Sequence, residues 1–86
     1  MEEFELVFPC EYPIKVIGLN ENNFQQYVMQ VVARHVPGIS VEAFSTKNSR
    51  ENNYLSVSVT ILAESRAQVT ALYQELGADP RVKVAL

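Results

Sequence analysis

The sequence predicts an α+β fold, a four-stranded antiparallel sheet with two helices on one face, and three observations lead to it. Residues 54–61 alternate strictly between apolar and hydroxyl-bearing side chains, a pattern typical of a strand with one buried and one solvated face. An apolar stripe at helical spacing runs through residues 24–35. The predicted elements follow the order β-α-β-β-α-β, which with right-handed crossovers gives the ferredoxin-like arrangement and the spatial strand order 4-1-3-2.

Composition and charge are those of an ordinary folded domain. The chain has 86 residues, of which 48% are hydrophobic and 20% charged, so we expect one domain over residues 1–86, with residues 1–10 as an N-terminal arm. Its net charge of −3 and its seven scattered basic residues oppose general binding of nucleic acid. No apolar run approaches the roughly 18–20 residues that a bilayer span needs. The lone cysteine, Cys10, suits a cytoplasmic location.

The first half of the chain is predicted to form a strand and a helix. The strand runs from about residue 12 to residue 19, where apolar and polar positions alternate. Either Asn20 or Asn22 is expected to cap the helix that follows, and Pro37-Gly38 is expected to end it. The predicted buried stripe of this helix consists of Phe24, Tyr27, Val28, Val31, Val32 and His35.

The second half is predicted to add two strands, a helix and a last strand. Residues 39–44 are expected to form the second strand, and the polar residues 46–53 a flexible loop before the third strand at 54–61. Ser65 is expected to cap the second helix, and Gly77 to end it. The predicted buried positions of this helix and the last strand are Val69, Leu72, Tyr73 and Leu76, followed by Val82, Val84 and Leu86.

The face of the sheet that carries no helix is predicted to be exposed and to serve as a binding surface. The row of hydroxyl side chains on this face, Ser56, Ser58 and Thr60, is interpreted as the ordinary polar side of a half-buried strand. Neither serine lies in the G-x-S-x-G turn that presents a nucleophile. Exposed sheet edges also favour a homodimer in which two sheets join. The predicted members of this face are Lys15, Ile17, Glu42, Phe44, Tyr54, Ser56, Ser58, Thr60, Arg81 and Lys83.

Four blocks of the sequence resemble the YbeD-like family of small, uncharacterised bacterial proteins. They are FPCEYPIKVIG at 8–18, RHVPG at 34–38, YLSVSVTI at 54–61 and LYQELG at 72–77. The resemblance implies a ferredoxin-like fold similar to the ACT-type regulatory domains of amino-acid-pathway enzymes, and it implies no catalytic residue or cofactor. It also implies a link to lipoate metabolism, because genes of this type often neighbour lipoate-transfer genes. The loop at 48–53 is longer than is usual in the family.

Two sets of residues are predicted to bind a ligand or partner. The resemblance implies the first set, because in ACT-type domains the turn after the first strand commonly lies at a small-ligand site between paired domains. Here that turn holds Gly18, Leu19 and Asn20. The alternative is that Gly18 serves only the backbone and Asn20 only the helix cap. The second set lies on the predicted open face and consists of Phe44, Tyr54, Ser56 and Ser58.

The function predicted from these observations is a non-enzymatic regulatory or binding module that acts on a protein partner or a small metabolite. No metal, cofactor, nucleic acid or membrane is expected among its ligands. His35, the single histidine, is interpreted as a packing or capping residue, because metal sites need several donors. One alternative is a small enzyme with an interfacial site in which His35 or Glu42 acts as acid or base. Another is an RNA-binding sheet in which Tyr54 and Phe44 stack on bases.

Overall fold

The structure, a computed structural model, describes residues 7–86 as four strands and two helices. Most of the arm predicted for residues 1–10 lies outside the described residues, and its last residue, Cys10, begins the first strand. A short 3-10 helix, Val41–Ala43, precedes the second strand. The strands and helices are β1 (Cys10–Leu19), α1 (Phe24–His35), β2 (Phe44–Asn48), β3 (Tyr54–Ala63), α2 (Arg66–Gly77) and β4 (Val82–Ala85).

The sheet has the predicted topology. Its strands lie in the order β2-β3-β1-β4 with every neighbouring pair antiparallel, which is the predicted order 4-1-3-2 taken from the opposite edge. The two central strands pair along their whole length, from Cys10 opposite Ala63 to Leu19 opposite Tyr54. Directly opposite residues point to the same face, so this register decides which side chains lie on which side of the sheet.

Both helices pack on one face of the sheet, and the core lies between them. Alternate residues of β3, from Leu55 to Ala63, are buried against the helices, as the alternation predicted. Tyr27 and Tyr73, expected in the helix stripes, pack at the margin of the core and are half-buried. The buried members are Ile14, Val16, Phe24, Val28, Val31, Val32, Leu55, Val57, Val59, Ile61, Ala63, Val69, Leu72 and Leu76.

The second strand begins later than the sequence predicted. Residues 41–43 form a 3-10 turn, because the Oγ of Ser40 accepts a hydrogen bond from the backbone N–H of Glu42 at 3.1 Å and starts the turn there. The paired strand is Phe44–Asn48, so three residues expected in the flexible loop belong to the ladder. An edge strand with exposed polar side chains lacks an apolar alternation, and the sequence pattern therefore missed it.

Phe44 lies on the helix-covered side, and its predicted place on the open face is wrong. It pairs with the core residue Val59, and its half-buried ring packs against the core. The late start of β2 is the cause, because a shift of one residue along a strand moves a side chain to the other face. Glu42, also predicted on the open face, lies in the exposed 3-10 turn instead.

A bulge after Val82 turns the rest of the last strand to the face opposite the predicted one, whereas Val82 packs against the core as predicted. Between two successive pairs of the ladder, β4 advances by two residues, from Val82 to Val84, whereas β1 changes by one, from Gly18 to Ile17. Leu86 continues the ladder beyond Val84 through two backbone hydrogen bonds to β1. Val84 and Leu86 were predicted in the core, but they lie on the uncovered face with exposed fractions of 41% and 65%.

α1 begins without the side-chain cap expected from Asn20 or Asn22. The N-cap residue is Asn23, whose side chain makes no capping hydrogen bond, and the backbones of Asn22 and Asn23 are left-handed with φ of 52° and 59°. Arg81 binds this end of the helix, because its Nη1 donates to the carbonyl oxygens of Glu21 and Asn22 at 3.2 and 2.6 Å. Arg81 therefore lies beside α1, and its predicted place on the open face is wrong.

Arg81 also forms a largely shielded ion pair with Asp79. Its Nε and Nη2 donate to the two carboxylate oxygens at 2.9 and 2.8 Å, and its guanidinium carbon lies 5.1 Å from the ring centroid of Tyr27. The hydrogen bond from Arg81 lowers the pKa of Asp79 below its ordinary value, against the opposing effect of burial. Burial, reinforced by the charge of Asp79, raises the pKa of the Tyr27 hydroxyl. The pair ties the segment before β4 to the start of α1.

The Asp79 carboxylate is expected to contribute stability that is lost in acid. Because its pKa is lower in the folded chain than in the unfolded one, the contribution is complete above about pH 4 and disappears as the pH falls through the lowered native value. We expect Asp79→Asn to be less stable at pH 7 and to lose less further stability than wild type between about pH 5 and pH 2. Urea unfolding at each pH measures this, with exposed Glu42→Gln as the control. If the Asp79→Asn variant loses as much stability in acid as wild type does, the Asp79 carboxylate does not make the expected contribution.

Candidate functional site

The uncovered face of the sheet, called the open face below, is the candidate site. Its centre is built by Lys15 and Ile17 of β1, which lie opposite Ser58 and Ser56 of β3. The pairing of both edge strands with the central strands adds further residues to the same face. The open face consists of Glu11, Pro13, Lys15, Ile17, Leu19, Ser45, Lys47, Tyr54, Ser56, Ser58, Thr60, Leu62, Val84 and Leu86.

Exposed apolar side chains are concentrated on the open face. Val84 and Leu86 lie at its β4 side next to Ile17, while Tyr54 and Leu62 lie at the two ends of β3 with exposed fractions of 43% and 55%. Four of the six large apolar side chains that are exposed within residues 7–86 therefore share this one face. Ile17, Val84 and Leu86 are neighbours on this face, and exposed apolar residues that lie side by side mark surfaces that contact another molecule.

The half of the open face toward β2 carries two lysines and a row of hydroxyls. Lys15 on β1 and Lys47 on β2 lie on either side of β3, with Ser56 and Ser58 between them. Both lysines and Tyr54 line a shallow hollow of about 240 Å³, and Lys15 also borders a second hollow of about 470 Å³. The ion pairs found within residues 7–86, Arg34–Glu75 and Arg81–Asp79, involve neither lysine. This half of the face is therefore locally positive.

The turn after β1 is fixed to the β2–β3 hairpin by Asn20. Its side-chain amide donates to the Oδ1 of Asn48 and to the carbonyl of Asn52, both at 3.2 Å, and its backbone N–H donates to the carbonyl of Asn53 at 3.0 Å. A hollow of about 370 Å³ lies between the turn and the hairpin, with Tyr54 in its wall. Asn20 thus joins two loops instead of capping α1, and it lies beside a member of the second predicted set, Tyr54.

Gly18 is buried where α1 and β4 approach the end of β1. A β-carbon at this position would lie 2.3 Å from the Cζ of Phe24 and 2.6 Å from the backbone oxygen of Arg81. The next residue, Leu19, donates its backbone N–H to that same oxygen at 2.9 Å. The close packing of a ring and a backbone carbonyl is a sufficient physical reason for a glycine at this position.

The single histidine is held between the helices. Its Nε2 lies 2.7 Å from the Oε1 of Glu75, and Arg34 pairs with the other oxygen of the same carboxylate. The hydroxyl of Tyr27 donates to the backbone carbonyl of Glu75 at 2.8 Å. His35 therefore links α1 to α2, whereas Glu42, its suggested companion in an enzyme, lies in the 3-10 turn outside this cluster.

A further hollow, of about 440 Å³, lies on the helix side beside α2. Tyr12 and Tyr73 line it with their rings packed edge to face, the centroids 6.3 Å apart, and Arg66 contributes to its rim. Burial, with a smaller effect of Tyr12, raises the pKa of Tyr73 to about 12. The Tyr73 hydroxyl therefore stays protonated at neutral pH and does not act as a base there.

The structure brings together the predicted open-face residues of β3 and leaves Phe44 apart from them. Tyr54, Ser56 and Ser58 follow one another along that strand, on the predicted side. A polar run beside a hairpin turn could have indicated the edge strand β2, but nothing in the residue pattern marks the bulge of β4. The open-face residues that sequence reasoning missed are Glu11, Pro13, Leu19, Ser45, Lys47, Leu62, Val84 and Leu86.

The described part of the chain contains neither a metal-binding cluster of side chains nor a helix long enough to span a membrane. Within residues 7–86, no three His, Cys, Asp or Glu side chains lie close enough to hold a metal ion. Cys10 is a half-buried free thiol. Each of the two described helices has 12 residues, too few to cross a membrane.

Comparison with known sequences finds relatives that match over nearly the whole chain. The family model described as "Protein of unknown function (DUF493)" matches residues 3–86. A UPF0250 protein of Nitrosomonas europaea is 36% identical over 85 residues, which cover 99% of this chain and 98% of that protein. A UPF0250 protein of Ectopseudomonas mendocina is 41% identical over 83 residues, covering 95% of this chain and 90% of that protein.

Comparison with solved structures finds the same fold at low sequence identity. The solution structure of protein HP0495 from H. pylori has a TM-score of 0.71 and 13% identity, with 99% of this chain and 89% of that chain covered. The crystal structure of the ACT domain from GTP pyrophosphokinase of Chlorobium tepidum has a TM-score of 0.66 and 11% identity, with coverage of 88% and 94%. These matches confirm the ferredoxin-like, ACT-like fold predicted from the sequence.

Proposed function

This chain belongs to the DUF493 family, the one that its sequence blocks resembled, and on that premise we propose that it is a non-enzymatic regulatory module that binds a partner protein through the open face. The ACT-like fold supports a regulatory role by analogy, and analogy of fold is a weaker argument than the chemistry of a site. The observation that carries the proposal is the open face itself, on which four large apolar side chains are exposed, two of them side by side next to β1.

The ionisable groups of the described chain support binding rather than catalysis. The Glu75 carboxylate contacts Arg34 and His35, and the Asp79 carboxylate pairs with Arg81. These contacts join secondary-structure elements to one another. A general base must reach a substrate proton with an orienting group behind it, and these pairs face other elements of the fold rather than the open face. The serines of the open face have no basic partner for activation within hydrogen-bonding distance among residues 7–86.

The partner that fits the open face has apolar side chains that contact Val84 and Leu86 at its β4 side. A second copy of this chain, joined through the open face or a sheet edge, is one outcome that the experiment below distinguishes. A protein of lipoate metabolism is the candidate that the gene neighbourhood of the family suggests. We place this interaction in the cytoplasm, where a free thiol such as Cys10 persists.

Affinity capture with cross-linking, in the bacterium that natively contains the protein, tests this function. The double variant Val84→Glu, Leu86→Glu adds two charges to the apolar half of the open face. We expect it to capture the partner at least about tenfold less than wild type, because buried unpaired charges cost several kcal/mol at an interface. The matched control is Gln26→Glu, Gln30→Glu, which adds the same charges to exposed positions on α1.

Light scattering of the purified variants identifies the occupant. A dimer that the open-face variant dissociates and the α1 variant preserves would make the partner a second copy. A specific protein lost only with the open-face variant would be the regulatory partner. If the open-face variant retains every captured protein, or if wild type captures none and stays monomeric, the proposed function is wrong.

A further inference from the structure

We propose that the β2 half of the open face is a binding site for a small organic anion, a phosphomonoester or carboxylate with an apolar body, held between Lys15 and Lys47. This inference deepens the proposed function and rests on its use of the open face. The anion would occupy the half beside β2, whereas the partner protein would contact the half beside β4. The module would then combine a metabolite site and a protein surface on one side of a single sheet.

The ladder register sets the spacing of the two ammonium groups. Lys15 lies opposite Ser58 and Lys47 lies opposite Ser56, so the lysines flank the same short stretch of β3 from its two sides. Neighbouring strands are about 4.8 Å apart, which places the two lysine backbones within roughly 12 Å of each other. Each lysine side chain is about 6 Å long, so both ammonium groups can meet one anion above Ser56.

No acidic side chain within residues 7–86 forms an ion pair with either lysine. The ion pairs there use other cations, and the one acidic side chain on the open face, that of Glu11, lies opposite Leu62 at the far end of β3. Among residues 7–86, seven acidic and seven basic side chains balance, so this part of the chain has no net negative charge to oppose the local positive potential of the lysines.

The groups around the lysines define the rest of the ligand. The hollow that both lysines line is also formed by Tyr54, Ser56 and Ile17. The serine and tyrosine hydroxyls can donate to phosphate or carboxylate oxygens, and the aliphatic side chain of Ile17 offers an apolar contact. The exposed ring of Tyr54 can lie against an aromatic or aliphatic body. A bare inorganic anion would use only the lysines and hydroxyls, so an anion with an apolar part should bind more tightly.

The size of the hollow favours a small molecule over a polyanion. It measures about 240 Å³ and adjoins, across Lys15, the hollow of about 470 Å³. Small-molecule sites commonly occupy roughly 300–1,000 Å³. Nucleic acid binding draws on many phosphate contacts along a basic surface, and two lysines provide too few.

Titration of the full chain with phenyl phosphate and with inorganic phosphate, followed by amide chemical shifts, tests the proposal. Phenyl phosphate is expected to shift the amides of Lys15, Lys47 and residues 54–58 saturably and to bind more tightly than inorganic phosphate. Lys15→Gln and Lys47→Gln should each weaken phenyl phosphate binding by about tenfold, the value of one charge-assisted hydrogen bond. Arg66→Gln, which removes a cation from the helix side, is the matched control and should bind as wild type does. Titration with phenylacetate, the carboxylate anion of phenylacetic acid, separates carboxylate recognition from phosphate recognition.

The outcomes distinguish this inference from the proposed function. Shifts that do not saturate, or that the Arg66→Gln variant loses as much as the lysine variants, would show a general charge effect and overturn the anion site. In that case, capture of a partner that depends on Val84 and Leu86 would leave the proposed function standing. Saturable binding of phenyl phosphate without any captured partner would support the anion site and contradict the protein-binding role.

Discussion

Replacing Gly18 with alanine is expected to lower the free energy of unfolding by about 3 kcal/mol, a large part of the about 5–15 kcal/mol typical of a domain. The added β-carbon would overlap the buried ring of Phe24 and the backbone oxygen of Arg81. Neither neighbour can withdraw easily, because the ring is 1% exposed and the carbonyl accepts the backbone N–H of Leu19. Urea unfolding followed by circular dichroism gives the change directly.

Gly77→Ala is the control for the Gly18 variant. A β-carbon at Gly77, the last residue of α2, would have no neighbour within 4 Å, so alanine should be tolerated or should stabilise by up to about 1 kcal/mol. Equal stability of the Gly18→Ala variant and wild type would mean that α1 and β4 do not approach the end of β1 as described. It would also leave a ligand role as the remaining explanation for the glycine.

Ile61→Ala is expected to destabilise the protein by about 3 kcal/mol, whereas Leu62→Ala, one residue further along β3, should change stability by less than about 0.5 kcal/mol. The two side chains are similar in size and lie on opposite faces of the same strand. Ile61 is 2% exposed in the core beneath the helices, and Leu62 is 55% exposed on the open face. Truncating the first creates a cavity, and truncating the second removes surface that water already contacts.

Denaturant titration of these two variants measures how much each face of the sheet contributes to stability, because Ile61 lies on the covered face and Leu62 on the open face. Similar losses in both variants would mean that the open face is buried in solution, in a dimer or under residues outside 7–86. Repeating the measurement over a range of protein concentrations separates these cases, because only a dimer gives a stability that depends on concentration. A larger loss for Leu62→Ala than for Ile61→Ala would contradict the described arrangement of the sheet.

Elements whose two sides differ strongly in polarity could be predicted from the sequence. The strand β3 shows a buried residue at every second position from Leu55 to Ala63, and the apolar stripe of α1 meets it with Val28, Val31 and Val32. The topology then followed from element order and crossover handedness, since few arrangements satisfy both. The cap of α2 was also predictable, because the Oγ of Ser65 accepts from the backbone N–H of Gln68 at 3.1 Å.

The edges of the sheet could not be predicted in the same way. β2 has exposed side chains on both faces after Phe44, so no alternation distinguishes it from a loop. In β4, Val82 and Val84 have the spacing of two core residues, but the bulge turns Val84 to the open face. A bulge arises from how β4 meets β1, and that relation between distant segments is not contained in the local pattern.

These edge effects also explain which site residues were missed. Lys47 joins the open face only because β2 continues to Asn48, and Val84 and Leu86 join it only because of the bulge. The alternation could place Tyr54 and its neighbours on this face, but it could not show that lysines flank them or that apolar residues lie at the β4 side. The chemistry proposed for the open face therefore depends on the edges, which are the least predictable part of the fold.

The central claim is that both helices cover one side of the sheet and leave the other side uncovered, and a methyl NOE spectrum of the full chain tests it most directly. The described arrangement predicts NOEs from the methyl groups of Val28 and Leu72 to buried residues of the sheet, and none from either helix to Val84 within one molecule. Intramolecular NOEs between a helix and Val84 would show that the supposedly uncovered side is packed, and both binding proposals would then lose their surface.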